Sequence, residues 1–290
     1  MKGDFLWTPM RGGAPRHISN RRFISQRLFD MTTKANLSEP TSPALSVVGR
    51  VATIRLRNPA YANRLSPGDL AVIAEHLATV NANPEVLVLK FIADGKYFCS
   101  GYDISSLAAD SAPSSTYFGD TVDLIEQARP VTIAAINGGV YGGGTDLSLA
   151  CDFRVGVPSA NMFMPAAKLG LHFYPGGMVR YITRLGLNNA KKLFLTCEKI
   201  EATEMLEIGF LTEIVAPEVL LARVDALSEQ LAGMAPLALL GIKKHLNLIA
   251  RGQVDQTEIR RAVAISEQSN DIKEGALAWK EKRSATFNGS

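Results

Sequence analysis

The residues best placed to do chemistry lie in a glycine-rich turn, Ala135-Ile136-Asn137-Gly138-Gly139-Val140-Tyr141-Gly142-Gly143-Gly144-Thr145-Asp146-Leu147. An apolar, strand-like run enters five glycines within seven residues, and a helical pattern follows. Glycine admits positive φ and lets a backbone approach a ligand closely. The first N–H groups of the helix that follows have no intrahelical acceptor and suit an anion or a developing oxyanion. The spacing is not G-x-G-x-x-G and no Gly-Lys-Ser/Thr follows, so a nucleotide-phosphate reading is weak. The same residues also fit a plain tight corner, with Asp146 as a first-turn carboxylate favoured by the helix dipole. A second turn, Phe98-Cys99-Ser100-Gly101-Tyr102-Asp103-Ile104, again follows a strand-like run and offers another backbone N–H. Two such donors from separate turns are what a carbonyl oxygen needs if it is to carry negative charge. Alone, the second turn reads equally as an ordinary loop with a capping Asp.

The elements that must hold these turns alternate between strand and helix. Leu45–Val48, Gly49-Arg50 and Val51–Leu56 read as a hairpin with glycine at its turn. Ser66-Pro67 opens a helix whose Leu70, Ile73, Leu77 and Val80 share one face. Val86–Phe91, Val131–Ile136 and Phe153–Val157 read as strands. From about Pro175 the pattern turns helical, with helices over 188–197, 202–209, 217–232, 235–250 and 254–268 and a short strand near Leu211–Val215. We divide the chain into a basic leader (1–44), an α/β core (45–200) and a helical C-terminal region (201–290).

Charge supports that division. The 290 residues carry 31 Lys+Arg and 28 Asp+Glu, a net charge of +3. Residues 1–46 hold seven of the basic residues and three of the acidic ones, so the body is close to neutral. A neutral body lacks the basic footprint of a nucleic-acid binder. No apolar run approaches the roughly 20 residues that span a bilayer. The leader reads as a disordered tail, an Arg-rich transit peptide or sequence upstream of a true start at Met31. Cys99, Cys151 and Cys197 form neither a disulfide framework nor a zinc pattern, and no metal site is expected. Cys99 adjoins the proposed oxyanion turn but has no evident base to make it a nucleophile.

Together the two turns resemble the crotonase superfamily, the enoyl-CoA hydratase/isomerase family. Its first turn, F-x-x-G-x-D-[IL], is matched by Phe98 to Ile104, and its second, N-G-x-x-x-G-G-G-x-[ED]-L, by Asn137 to Leu147. Cys151-Asp152-Phe153-Arg154 matches a C-D-[FI]-R run. Pro165, Leu169-Gly170, Gly176-Gly177, Arg180 and Leu185-Gly186 match the following stretch. Glu274-Gly275, Ala278-Trp279 and Glu281-Lys282-Arg283 match the close. The resemblance covers roughly residues 45–286. It implies an α/β fold, a crotonase-like spiral of ββα repeats with a helical C-terminal region used in trimerisation. It also implies a coenzyme A thioester as substrate and partner, with no separate cofactor, and a homotrimer or dimer of trimers.

On this resemblance the oxyanion donors fall on the N–H groups of Ser100 and Gly143. The CoA moiety would be met by Arg57, Ala62, Gly101, Tyr102, Asp103, Ile104 and Lys282, the last from this chain or from a neighbouring subunit. The acyl pocket would use Tyr141, Gly142, Pro165, Ala166 and Leu171. Hydratases of the family hold one water between two glutamates. Here Asp146 takes the first position, one methylene shorter, and Ala166 takes the second; no Glu lies among residues 147–187. Asp146 is therefore the expected acid/base, with His172 as a helper. The missing carboxylate leaves three readings open: hydration or isomerisation of an enoyl thioester; decarboxylation or C–C cleavage of a β-dicarbonyl; and acyl-CoA binding without catalysis. Glu126 reads as a solvated or capping charge, and Lys243 and Lys244 as solvated or trimer-contact charges. A cytoplasmic location is expected, or a mitochondrial one if the leader is a transit peptide.

Overall fold

The computed structural model describes residues 41–103 and 116–290. The leader up to residue 40 and Ile104, an expected CoA contact, lie outside the described residues. The hairpin is present as β1 (Ala44–Val48) and β2 (Val51–Leu56), antiparallel, with Gly49 at φ +55° between them. Helix α1 (Pro67–Ala82) starts with a capping box in which Ser66 and Asp69 bond each other's backbone N–H groups. It buries Leu70, Ile73, Leu77 and Val80, the face its spacing defines.

A repeat then runs three times. Strand β3 (Val88–Ala93) leads to β4 (Tyr97–Cys99) and later to α2 (Tyr117–Glu126). Strand β5 (Val131–Ile136) leads to β6 (Gly139–Tyr141) and α3 (Gly143–Ala150). Strand β7 (Phe153–Gly156) leads to β8 (Asn161–Phe163) and α4 (Pro175–Leu185). The first strand of each pair joins one sheet and the second joins another, so the chain winds as a spiral of ββα turns. The larger sheet has the order β1-β2-β3-β5-β7-β10, where β10 is Glu213–Ile214; the smaller is β4-β6-β8-β9, where β9 is Ile200–Glu201. Apart from β1–β2 and β8–β9, the pairings are parallel. Strand β5 is buried at every position, which is why its sequence is continuously apolar rather than alternating.

Short helices α5 (Leu187–Lys191) and α6 (Ala202–Glu207) follow, separated by a π turn, Lys192–Thr196. The C-terminal region is α7 (Leu220–Ala232), α8 (Pro236–Ala250), α9 (Gln256–Gln268) and α10 (Asn270–Glu281). No helix among the described residues is long and apolar enough to cross a membrane. Two charges read as solvated prove to be internal. Lys243 on α8 is 8% exposed; it pairs with Asp152 at 3.0 Å and donates to the carbonyls of Ala128 and Pro130. It thereby pins α8 to the ends of β5 and β7. Glu126, at the end of α2, is 5% exposed and ion-paired, as described below.

Candidate active site

The two glycine turns are brought together by the smaller sheet. Strands β4 and β6 run parallel with Cys99 opposite Val140, so the loops that leave them emerge side by side. Contact is close enough to demand glycine. Gly101 has φ +92°, and a Cβ there would lie 2.7 Å from the Gly143 nitrogen. A Cβ on Gly144 would lie 2.4 Å from the Cys99 carbonyl oxygen. Gly142, at φ +51°, is the N-cap of α3 and offers no side-chain bond to it. Gly143 and Gly144 therefore begin the helix with N–H groups that have no intrahelical acceptor.

Beside this helix end lies a cavity of about 430 Å³. Gly142 and Gly143 form one wall, and Tyr102, Phe118, Tyr141, Phe163, Phe173 and Tyr174 line it with aromatic rings. Pro165, Ala166, Leu169, Leu171 and His172 close another side, and Arg64 and Ser100 add polar groups. All five residues expected in the acyl pocket thus share one cavity with Gly143, Ser100, Tyr102 and His172. Arg64, which the sequence reading passed over, joins them and pairs with Asp103 at 3.2 Å.

Two of the expected site residues are engaged elsewhere in this structure. Ser100 does not present a free N–H, because it donates to the Ala62 carbonyl at 2.9 Å. The segment 100–103 is bonded alongside 62–65: Leu65 N–H donates to Gly101 and Asp103 N–H to Leu65, at 2.8 and 2.9 Å. Asp146, the expected acid/base, is not among the residues lining the cavity and is fully buried. Arg180 on α4 grips it with one edge of its guanidinium, Nε to Oδ1 at 2.9 Å and Nη2 to Oδ2 at 2.6 Å. The Tyr174 hydroxyl donates to the same carboxylate from the cavity side.

The grip extends outward. Arg180 Nη1 reaches Asp123 at 2.5 Å and Glu126 at 3.3 Å on α2. Arg251, following α8, pairs with Asp123 at 3.1 Å and with Glu126, and Arg184 pairs with Glu126 at 3.4 Å. Three guanidinium groups and three carboxylates thus form one balanced cluster. Burial alone would favour a neutral Arg180, but the Asp146 carboxylate outweighs it and raises the guanidinium above its usual range. Burial, and then the Asp146 charge, hold the Tyr174 phenol well above its ordinary value, so it remains a neutral donor.

The remaining titratable groups sort by contact. His172 lines the cavity, and its Nδ1 lies 2.8 Å from the Phe173 carbonyl. A carbonyl only accepts, so Nδ1 carries the proton and a neutral ring keeps Nε2 as an acceptor. The Tyr141 hydroxyl donates to Asn161 at 2.8 Å, and burial raises its phenol. Cys99 and Cys151 are buried and their thiols are pushed up to about 12, chiefly by desolvation, which removes them as nucleophiles near neutrality. Arg57 lies outside the cavity wall and donates to the Ser42 carbonyl at 2.8 Å. Lys282 caps α10 at φ +55° and is exposed, likewise away from the cavity of its own chain. Among the described residues no cluster of His, Cys, Asp and Glu could hold a metal ion.

A helix N-terminus and a histidine side chain thus share one aromatic-walled cavity. The sequence profile of the enoyl-CoA hydratase/isomerase family matches residues 47–290. The chain belongs to the enoyl-CoA hydratase/isomerase family. A crotonyl-CoA hydratase from Syntrophomonas wolfei is 32% identical over 250 residues, covering 82% of this chain and 94% of the relative. A carnitinyl-CoA dehydratase from Citrobacter koseri is 29% identical over 252 residues, covering 83% and 96%. Among solved structures, an enoyl-CoA hydratase/isomerase family protein from Hyphomonas neptunium superposes with a TM-score of 0.80 at 28% identity, over 86% of this chain and 98% of that one. An enoyl-CoA hydratase from Bacillus anthracis gives 0.75 at 29% identity, over 86% and 100%. Within this framework Asp146 is sequestered, and Ala166 and His172 line the cavity.

Proposed function

We propose that the protein acts on acyl-CoA thioesters through an enolate-like state, with His172 rather than Asp146 moving the proton. The observation that carries this reading is the placement of the Gly142–Gly143 helix start and His172 on one cavity, while Asp146 is locked behind Tyr174 by Arg180. The thioester oxygen would take its charge against the Gly143 N–H. The Ser100 N–H would serve as second donor if the ligand draws it from the Ala62 carbonyl, which it now bonds. In hydration, His172 Nε2 takes a proton from water as the water oxygen bonds the β-carbon. The π electrons pass to the α-carbon and thioester oxygen, and the imidazolium returns a proton to the α-carbon. Coenzyme A enters as part of the substrate, and no resident cofactor is required.

The cavity also favours a second reading, since its described wall carries Arg64 and His172 and no carboxylate. Nothing there repels a carboxylate on the substrate, so a malonyl-type thioester could lose carbon dioxide to the same enolate. Both are tested by following enoyl-CoA hydration and malonyl-type decarboxylation with wild type and His172→Ala. A general acid–base group contributes about 10²–10⁴-fold, so the variant should lose on the order of 10²-fold in kcat with KM little changed. Unchanged kcat would remove His172 from the mechanism. Thioester binding with no turnover in either assay would instead support a non-catalytic acyl-CoA binder. We also propose a trimer built through the C-terminal helices, where Ile242, Leu246 and Val263 are half exposed or more and Trp279 is 88% exposed.

A further inference from the structure

We propose that Tyr174 is a catalytic residue that holds the reacting water, its Oη accepting one hydrogen while His172 takes the other, and that Asp146 and Arg180 are positioning residues acting through Tyr174. This rests on the hydration reading above and adds to it the second contact that aims the nucleophile.

Water attacks through a lone pair, so its direction is fixed only when both of its hydrogens are accepted. His172 Nε2 accepts one. For the other, the described wall holds no carboxylate: position 166 is alanine, and Arg64 only donates. A phenol is the remaining kind of acceptor with the right chemistry. A hydroxyl has one hydrogen and two acceptor sites. At Tyr174 the hydrogen goes to Asp146, a carboxylate that Arg180 bonds at both oxygens. Oη therefore meets the contents of the cavity as an acceptor. A bond donated to a carboxylate draws the proton away from its oxygen and strengthens that oxygen as an acceptor in turn. Burial, and then the Asp146 charge, keep the phenol protonated, so Tyr174 aims the water without gaining or losing a proton and without adding charge.

The ring is built into its place. Tyr174 is the N-cap of α4, two residues from His172 on the same loop. It stacks on Phe173 with ring centroids 4.3 Å apart and planes 25° apart, and Phe118 stands 6.3 Å away. Two glycines leave room for it. A Cβ on Gly119, in the first turn of α2, would lie 2.6 Å from two ring carbons of Tyr174, and one on Gly177, in the first turn of α4, would lie 2.9 Å from a third. Glycine weakens a helix relative to alanine, and both helices carry one where the ring passes. Asp146 lies in the first turn of α3, three residues after Gly143. The hydroxyl bonded to it is thus held at the same helix start that would take the thioester oxygen.

The test is hydration of crotonyl-, hexenoyl- and decenoyl-CoA by the intact chain as wild type, Tyr174→Phe, Gly119→Ala and the double variant. Calorimetric binding of the saturated thioesters, which cannot add water, is the control. Tyr174→Phe keeps the ring and removes Oη; kcat should fall on the order of 10²-fold, the effect of a reacting group displaced by about 1 Å. KM and the Kd of the saturated thioester should stay within about twofold, the pattern of a contact made in the transition state. Gly119→Ala keeps the hydroxyl but displaces the ring, and should also lower kcat at unchanged Kd. The double variant should lose no more than Tyr174→Phe alone, because without Oη the place of the ring no longer bears on the water. A merely structural role would make the two losses multiply. Wild-type kcat in Tyr174→Phe overturns the inference and leaves the acyl-CoA reading intact, as do multiplying losses or a kcat loss matched by weaker binding of the saturated thioester. Should Tyr174→Phe fail to fold, Gly119→Ala decides alone: wild-type kcat overturns the inference, and a loss at unchanged Kd supports it. A wild type that hydrates none of the three thioesters overturns the hydration reading and this inference with it.

Discussion

If Arg180 is what holds Asp146 out of the chemistry, removing it should cost stability in proportion to how completely Asp146 is enclosed. Asp146 and Arg180 are both fully buried and joined by two hydrogen bonds. Arg180→Met strips the only cation bonded to Asp146 among the described residues and leaves the carboxylate without water. Breaking a buried pair this way typically costs about 3–5 kcal/mol, and in a domain of this size each kcal/mol lowers Tm by about 2–4 °C. A fall of roughly ten degrees is expected. Asp146→Asn is milder, because Arg180 keeps Asp123 and Glu126 as partners; losing one charged acceptor is worth about 1.5–3 kcal/mol. Arg180→Met with Asp146→Leu removes both charges and should recover most of the loss. The assay is urea denaturation of wild type, Arg180→Met, Asp146→Leu and the double variant, a closed cycle that yields a coupling energy. Coupling of at least about 2 kcal/mol is expected, since contacting ionic pairs are not additive. Additivity within about 0.5 kcal/mol would refute the reasoning. So would an Asp146→Asn variant of wild-type stability that has lost all turnover, since the carboxylate would then be catalytic after all.

Other consequences are simpler to check. The Cys99 and Cys151 thiols, raised to about 12 by burial, should resist alkylation at about pH 8.5, the ordinary thiol value, until the protein is unfolded; rapid labelling of the native protein would contradict this burial. Gly138→Ala would set a Cβ 1.9 Å from the Lys96 carbonyl oxygen, so it should destabilise by at least about 1–3 kcal/mol in denaturant titration. Burial lowers the Lys243 ammonium below its ordinary value of about 10.4, so in that window the unfolded chain holds the proton more firmly and this group's contribution to stability rises with pH. Lys243→Met should abolish that rise, read as the difference between the pH–stability curves of variant and wild type.

How much of this the sequence disclosed depended on length and periodicity. Strand β5 coincides with the apolar run Val131–Ile136, and α1 carries its expected face, because long patterned segments announce themselves. Strands β4, β6 and β8 have three residues each, too few to show alternation, yet they form the sheet that aligns the two glycine turns. Strand β3 begins at Val88 rather than Val86, because Leu87 and Val88 both direct their N–H groups to the Arg50 carbonyl before the ladder starts. The cavity-lining residues Tyr141, Gly142, Pro165, Ala166, Leu171 and His172 were named through the family resemblance. The cluster around Arg180 was not. Its members come from α2, α3, α4 and the end of α8, and Arg180 was visible only as a residue of the family pattern. Lys243 likewise read as surface because its partners, Asp152 and two main-chain carbonyls, are remote in sequence.

The two departures from the two-glutamate arrangement depend on one another. A pair of carboxylates can share a catalytic water only if both face it and one can take up a proton. Here the first carboxylate is committed to Arg180 and Tyr174 and does not face the cavity. A second carboxylate at position 166 would then stand alone among Phe163, Phe173 and Tyr174, where an apolar wall disfavours its charged form. Alanine there removes that burden. With no carboxylate on the described wall, a charge developing on the thioester oxygen meets the positive end of α3 without a competing negative charge. On the reading proposed above, proton transfer then falls to His172, whose Nδ1 is held by the Phe173 carbonyl. The ion cluster behind the cavity and the alanine at its wall therefore have the same effect on the described wall: one holds Asp146 away from it and the other adds no charge to it.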